Sequence, residues 1–218
     1  HIWFIKNNLE YTSKLTSNHY ISNIAALYIV SLLIPNRKMK NIHKFARAEL
    51  KNEINKQFDV DGFNHESSTY YHRLVLEMFG YCEYISKQND INLFEKDNPR
   101  LKKGFDFIDK IILSNGLIPQ LGDNDNGIFL KFSPRKIRDC SYLLDLGNAI
   151  YDSSYISSNK NLESILLGGS SKKIVQEEIK TVMSSFINSG VVSFSDNLNN
   201  IRLYIFNVSN GQQGNGGH

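Results

Sequence analysis

The chain has 218 residues, 41% of them hydrophobic and 22% charged, which excludes disordered and collagen-like classes and leaves enough apolar mass for one self-sufficient core. Lys and Arg outnumber Asp and Glu by 25 to 22, a net charge of +3 that is too mild for a nucleic-acid surface in a chain with no basic block. The two cysteines, Cys82 and Cys140, lie far apart in apolar helical patterns and read as small core residues.

Apolar positions Ile2, Ile5 and Leu9 predict a helix over residues 2–15. Ser17 or Asn18 is placed to cap a second helix, apolar nearly all round, that runs to about Leu33 and stops at Pro35-Asn36. Its apolar run, residues 24–34, is too short to span a bilayer. A polar and basic helix follows over residues 38–57, with Ile42, Phe45, Ala46 and Leu50 on one face, and Asp59-Val60-Asp61-Gly62 reads as a turn. The clearest helix covers residues 68–88, where Tyr71, Leu74, Val75, Met78, Cys82 and Ile85 form one stripe. Asn98-Pro99 opens a helix carrying Leu101, Phe105, Ile108 and Ile112, and Asn115-Gly116 ends it. Residues 117–127 form a polar loop. Ser133-Pro134 is expected to open a helix reaching Tyr151, and two short helices are expected over residues 161–167 and 171–186.

After Gly190 the period changes. Residues 191–194 and 201–206 alternate like strands about a turn at 196–200. Two strands alone are marginal in water, so they read as the first hairpin of a β domain. A chain that begins at His1 and stops in a glycine-rich tail is expected to be a piece of a longer protein. The expected division is a helical domain over residues 1–188 and the beginning of a β domain over 189–218.

Three polar clusters stand out. In Ser17-Asn18-His19-Tyr20, Asn18 alone reads as an N-cap; with His19 it presents an amide and an imidazole at a helix N-terminus, a place that suits an anion. In the segment 65–73, Tyr71 is either the head of the core stripe or a phenol aimed into a cleft. In the second case a neighbouring cation, His72 or Arg73, would lower its pKa, and Glu66 would hold a basic neighbour. The third cluster, Gly214-Asn215-Gly216-Gly217-His218, lacks the Gly-Lys-Ser/Thr of a phosphate loop and reads as a flexible tail or as a close approach that presents His218. Asp123-Asn124-Asp125-Asn126-Gly127 fails the calcium-loop spacing and reads as a polar turn, with a glycosidase carboxylate pair as the other reading.

Taken in order, Asn8–Tyr11 with Ser17–Asn23, residues 61–73, residues 121–127 and residues 214–218 resemble the heparinase II/III-like polysaccharide lyase family, which includes heparan and oligoalginate lyases. The likeness is greatest to members found with surface-polysaccharide biosynthesis genes. It implies a mainly α fold, an incomplete α/α toroid of helical hairpins followed by the first antiparallel strands of a C-terminal β-sandwich domain. It also implies β-elimination at a uronic acid of an acidic polysaccharide. Asn18, His19, Tyr71 and His218 match the family's catalytic positions, and Glu66, His72 and Arg73 are the expected substrate-side supports. In the chemistry so implied, Asn18 and a histidine stabilise the sugar carboxylate, His19 or a Tyr71 tyrosinate takes the C5 proton, and Tyr71 protonates the leaving oxygen.

The family's structural zinc is expected to be held beyond His218, so no cofactor or metal ligand is expected within these residues, and this stretch alone is expected to be inactive. The implied partner is the glycan, without nucleic acid or a membrane span; the periplasm or cell envelope is the favoured setting, with the cytoplasm left open. Two alternatives stay open: a non-catalytic member that binds or guides a glycan during export, and a toroid glycoside hydrolase using Asp123 and Asp125.

Overall fold

The structure, a computed structural model, describes residues 1–13, 16–94, 98–157, 162–167, 181–196, 199 and 201–208. Its elements run α1 (Ile2–Asn7), α2 (Asn18–Leu33), α3 (Met39–Gln57), α4 (Thr69–Lys87), α5 (Arg100–Ile111), α6 (Ser141–Tyr151) and α7 (Leu162–Leu166), then β1 (Thr181–Phe186), β2 (Val191–Asp196) and β3 (Ile201–Phe206). The class is the mainly α one expected, successive helices packed side by side and followed by an antiparallel sheet.

α1 is much shorter than its periodicity predicts. The Asn7 and Asn8 amides bond back to the Trp3 and Phe4 carbonyls at 2.7 and 2.8 Å, and short polar side chains of this kind compete with helical bonding. α2 and α3 pack on each other, burying Ile21 and Ala25 of the first and Leu50 of the second, and α4 lies at the centre against α2, α5 and α6. The stripe on α4 understates its burial: 15 of its 19 residues are buried. Tyr71 departs from that stripe, being only half-buried at the head of the helix. The Asp59–Gly62 turn forms as expected, with Gly62 at φ +93 where a Cβ would strike the Lys103 backbone.

The helix expected to open at Ser133 begins only at Ser141. The backbone before it is committed elsewhere: Ile118 N–H donates to the Arg138 carbonyl at 2.9 Å, and Asp139 caps α6 by accepting from Ser141 N–H at 3.0 Å. Residues 181–186 are strand β1 rather than the end of a helix; residues 171–180 lie outside those described. The sheet has the order β1-β2-β3, with Phe186 opposite Val191 and Val191 opposite Phe206. Its inner face docks on α5. Phe186 meets Phe107 edge-on at 4.8 Å, the Tyr204 hydroxyl donates to the Ile111 carbonyl at 2.9 Å, and Asp61 accepts from Asn188 and Ser189 N–H at 2.5 and 3.1 Å. The outer face leaves Met183, Ile201, Leu203 and Ile205 exposed.

A buried charge network fixes the irregular segment between α5 and α6. Glu77 on α4, wholly buried, accepts from Arg135 at 2.9 Å, from Arg73 at 3.4 Å, and from Phe129 and Leu130 N–H at 3.4 and 3.3 Å. Arg135 also pairs with Glu163 at 2.5 Å and lies 3.9 Å over the Tyr142 ring. Arg73 sends its other nitrogen to the Gly127 carbonyl at 2.5 Å. Two arginines and two glutamates thus neutralise one another out of water.

His72, expected on the substrate side, is instead a core residue. Its Nδ1 accepts from Asn64 N–H at 3.2 Å and its Nε2 donates to the Gly104 carbonyl at 3.1 Å, among the rings of Phe58, Phe63 and Phe107. Burial, partly opposed by that carbonyl, pushes its pKa down to about 3.

Two outcomes are expected. Removing one partner of a buried charge set costs about 3–5 kcal/mol, so Glu77→Gln should lower urea stability by about that much; a change below about 1 kcal/mol would show the network to be dispensable. The unfolded chain protonates His72 near its ordinary pKa, and the folded one only near 3. The contribution of His72 is therefore complete above about pH 6.5 and is lost as pH falls, at about 1.4 kcal/mol per pH unit. Urea titrations at several pH values should show a slope shallower by about one proton in His72→Gln than in the wild type; equal slopes would contradict this.

Candidate active site

The N-terminus of α2 is capped from a distance. Ser17 is extended, at φ −98, and its side chain caps nothing. The Glu66 carboxylate does so instead, accepting from Asn18 N–H at 3.1 Å and from the Asn18 side-chain nitrogen at 3.2 Å through each oxygen. Next to it, His19 is exposed and its Nδ1 lies 2.8 Å from Glu10 Oε2. Glu10 is anchored in turn by its own N–H, which donates to Asn23 Oδ1 at 2.9 Å.

The N-terminus of α4 receives the polar loop. Ser68 caps the helix by accepting from Tyr70 and Tyr71 N–H, while its hydroxyl donates to the Asp123 carbonyl at 2.7 Å. Thr69 N–H donates to the Leu121 carbonyl at 3.0 Å and its hydroxyl to the Pro119 carbonyl at 2.8 Å. Gly122, at φ +68, allows the close approach; a Cβ there would lie 2.9 Å from the Ser67 carbonyl. Arg73 completes the fastening one turn along, through Gly127. Asp125 stiffens the loop by accepting from Gly127 N–H at 2.5 Å, the polar-turn role.

This lays the loop 121–127 against the segment 65–73 that carries Tyr71. Burial first, then the charges of Asp125, Asp123 and Glu66, push the Tyr71 phenol above its ordinary pKa of 10. Tyr71 is therefore a neutral phenol at physiological pH. The cation expected beside it is not there: Arg73 is buried and held by Glu77 and Gly127, so it positions the loop rather than touching a ligand. Glu66 is itself raised by burial, against the pull of the Asn18 donors and of His19, with Asp125 adding to the rise. Glu66 is thus the group the others share: it bonds Asn18 and lies within electrostatic reach of His19, Tyr71 and Asp125. His218 and the glycine-rich segment before it lie outside the described residues.

Among the described residues no group of three or more His, Cys, Asp or Glu is arranged to hold a metal, and no helix is long and apolar enough to cross a membrane. Burial pushes the Cys140 thiol up to about 12, which leaves it unreactive. Sequence reasoning gave no role to Glu10, Glu77, Arg135 or Glu163. The spacing of Arg73 and Glu77, four apart on an otherwise buried helix, was the available signal for the network; Arg135 and Glu163 come from irregular segments and left none.

Residues 1–128 match the family model described as Heparinase II/III N-terminus. A comparison with curated proteins gives no significant match. Among solved structures, a heparinase III gene product with methylated lysines aligns with a TM-score of 0.59 at 19% identity, over 88% of this chain and 27% of its own. A crystal structure of heparinase III aligns with a TM-score of 0.58 at 15% identity, over 89% of this chain and 31% of its own. At these identities the likeness concerns the fold, an arc of helices leading into antiparallel strands. The chain spans 27% and 31% of the length of those two structures. With 128 of its 218 residues inside the matched region, the chain belongs to the heparinase II/III family.

Proposed function

We propose that the full-length protein is a polysaccharide lyase that cleaves a uronic-acid-containing glycan by β-elimination. The observation that supports this most is the Glu66 carboxylate, hydrogen-bonded to Asn18 and near enough to His19 and Tyr71, from two different helices, for charge to act between them. In such a reaction the C5 proton leaves, the C4–O4 bond breaks, and a C4–C5 double bond forms. The sugar carboxylate takes up negative charge as this happens. The site must therefore stabilise that carboxylate, remove the C5 proton and protonate O4.

Each task has a matching group. The Asn18 amide retains a hydrogen-bonding edge beyond Glu66 and can donate to the sugar carboxylate. Glu10 at His19 Nδ1 favours the tautomer with the proton there, which leaves Nε2 as an exposed base for C5. Tyr71, kept neutral by its carboxylate neighbours, is the acid that protonates O4. The same neighbours disfavour a tyrosinate base. His218 as a second donor, zinc beyond it, an acidic polysaccharide as substrate, and a periplasmic or cell-envelope setting belong to this proposal through the resemblance alone.

The test incubates full-length protein with alginate, heparan, hyaluronan, chondroitin and capsular uronate glycans, and follows the ultraviolet absorbance of the unsaturated product. Tyr71→Phe should lower turnover by about 10²–10⁴-fold with glycan affinity held within about threefold. Loss of affinity with turnover intact would contradict the acid role. Asn18→Ala should lower kcat by about 10²–10³-fold, the scale of an oxyanion donor; an unchanged kcat would remove Asn18 from the chemistry. Binding without cleavage in the wild type would favour the glycan-guiding role.

A further inference from the structure

We propose that Glu66 is a positioning residue for this reaction: it holds the Asn18 amide from one side and so sets the direction in which that amide meets the substrate. The inference rests on the lyase reading above. A carboxylate can only accept hydrogen bonds, and both Glu66 oxygens lie 3.2 Å from Asn18 Nδ2. Turning the amide over would set its oxygen against two acceptors, so Glu66 fixes the orientation. The Asn18 backbone N–H, bound to Oε1 at 3.1 Å, ties the side chain's root to the same carboxylate. Asn18 and Glu66 are 8% and 6% exposed, so water competes little for these bonds.

Glu66 is in turn held in place. Its N–H donates to Asn64 Oδ1 at 3.0 Å, and the Asn64 amide donates to the Gln57 carbonyl at 2.8 Å. Ser67, immediately after it, sits at φ +57, a left-handed conformation that is strained for a residue with a Cβ. That bend sends the chain from the Glu66 position into the α4 cap at Ser68, which accepts from Tyr71 N–H at 3.4 Å. One short strained segment therefore sets both the Asn18 donor and the Tyr71 helix turn.

The test is a double-mutant cycle in the full-length protein, alongside nuclear magnetic resonance of ¹⁵N-labelled protein. Glu66→Gln replaces one acceptor by a donor at nearly equal size. It should lower kcat by at least about tenfold with KM held within about threefold, and have no further effect in the Asn18→Ala background. An equal loss in both backgrounds would overturn the proposal. In the wild type, the two Asn18 side-chain amide protons should be well separated in shift, with the bound one slow to exchange. In Glu66→Gln, and in Glu66→Asp with its retracted carboxylate, that separation and protection should collapse. Unchanged Asn18 signals in both variants would overturn the proposal whether or not a substrate is found. A wild type that shows the protected amide and cleaves no glycan would sink the lyase reading, and with it the role in catalysis, while leaving the amide lock standing.

Discussion

The Glu77 carboxylate, wholly buried on the central helix, is the constraint on which the rest of the arrangement depends. An isolated charge there would cost several kcal/mol, so the fold must bring cations and N–H donors to it. It draws Arg73 from its own helix and Arg135 from the segment before α6, together with two N–H groups of the strandless stretch at Phe129 and Leu130. Arg135 then requires Glu163, which orders the chain as far as α7. Neutralising one charge therefore anchors residues 129–135 between α5 and α6 and ties α7 to them, and through the Arg73–Gly127 bond it holds the acidic loop against the head of α4.

That loop determines what Tyr71 can do. A phenol beside a guanidinium gives up its proton more readily; beside carboxylates, in a partly buried place, it keeps it. The same burial that turns Arg73 inward thus exchanges one chemical role for the other. On the opposite side, Glu10 and Glu66 hold His19 and Asn18 through hydrogen bonds, each carboxylate orienting the side chain it meets. The site is assembled from paired polar groups on two helix N-termini, where backbone N–H groups are free to be capped and side chains are presented outward.

Much of this was legible in the sequence, and the remainder failed for identifiable reasons. α2 through α5 follow from apolar spacing and from the breaks at Pro35 and Gly62, although α5 stops at Ile111, short of the Asn115-Gly116 expected to end it. Of the segments singled out, 17–20 meets 65–73 through Asn18 and Glu66, and 121–127 meets it through Ser68 and Thr69. The start of α6 was misplaced because Ser133-Pro134 is a local cap signal, and the backbone there is claimed by contacts with Glu163 and Ile118 that no local pattern records. β1 was read as helix because Val182 and Met183 are adjacent apolar residues that blur strand alternation. His72 and Arg73 were placed at the substrate because their chemistry suits it, but adjacent residues on a helix face different ways, and only Tyr71 faces the loop carboxylates.

Mass spectrometry of the cleavage products formed in ¹⁸O-enriched water tests the central claim most directly. β-Elimination adds no solvent oxygen, so the account predicts new non-reducing ends lighter by one water than hydrolysis would give, and no label beyond the anomeric exchange that free reducing ends undergo without enzyme. Fragments of hydrolytic mass that carry a solvent oxygen would contradict it and assign the loop carboxylates, rather than Tyr71, to the chemistry.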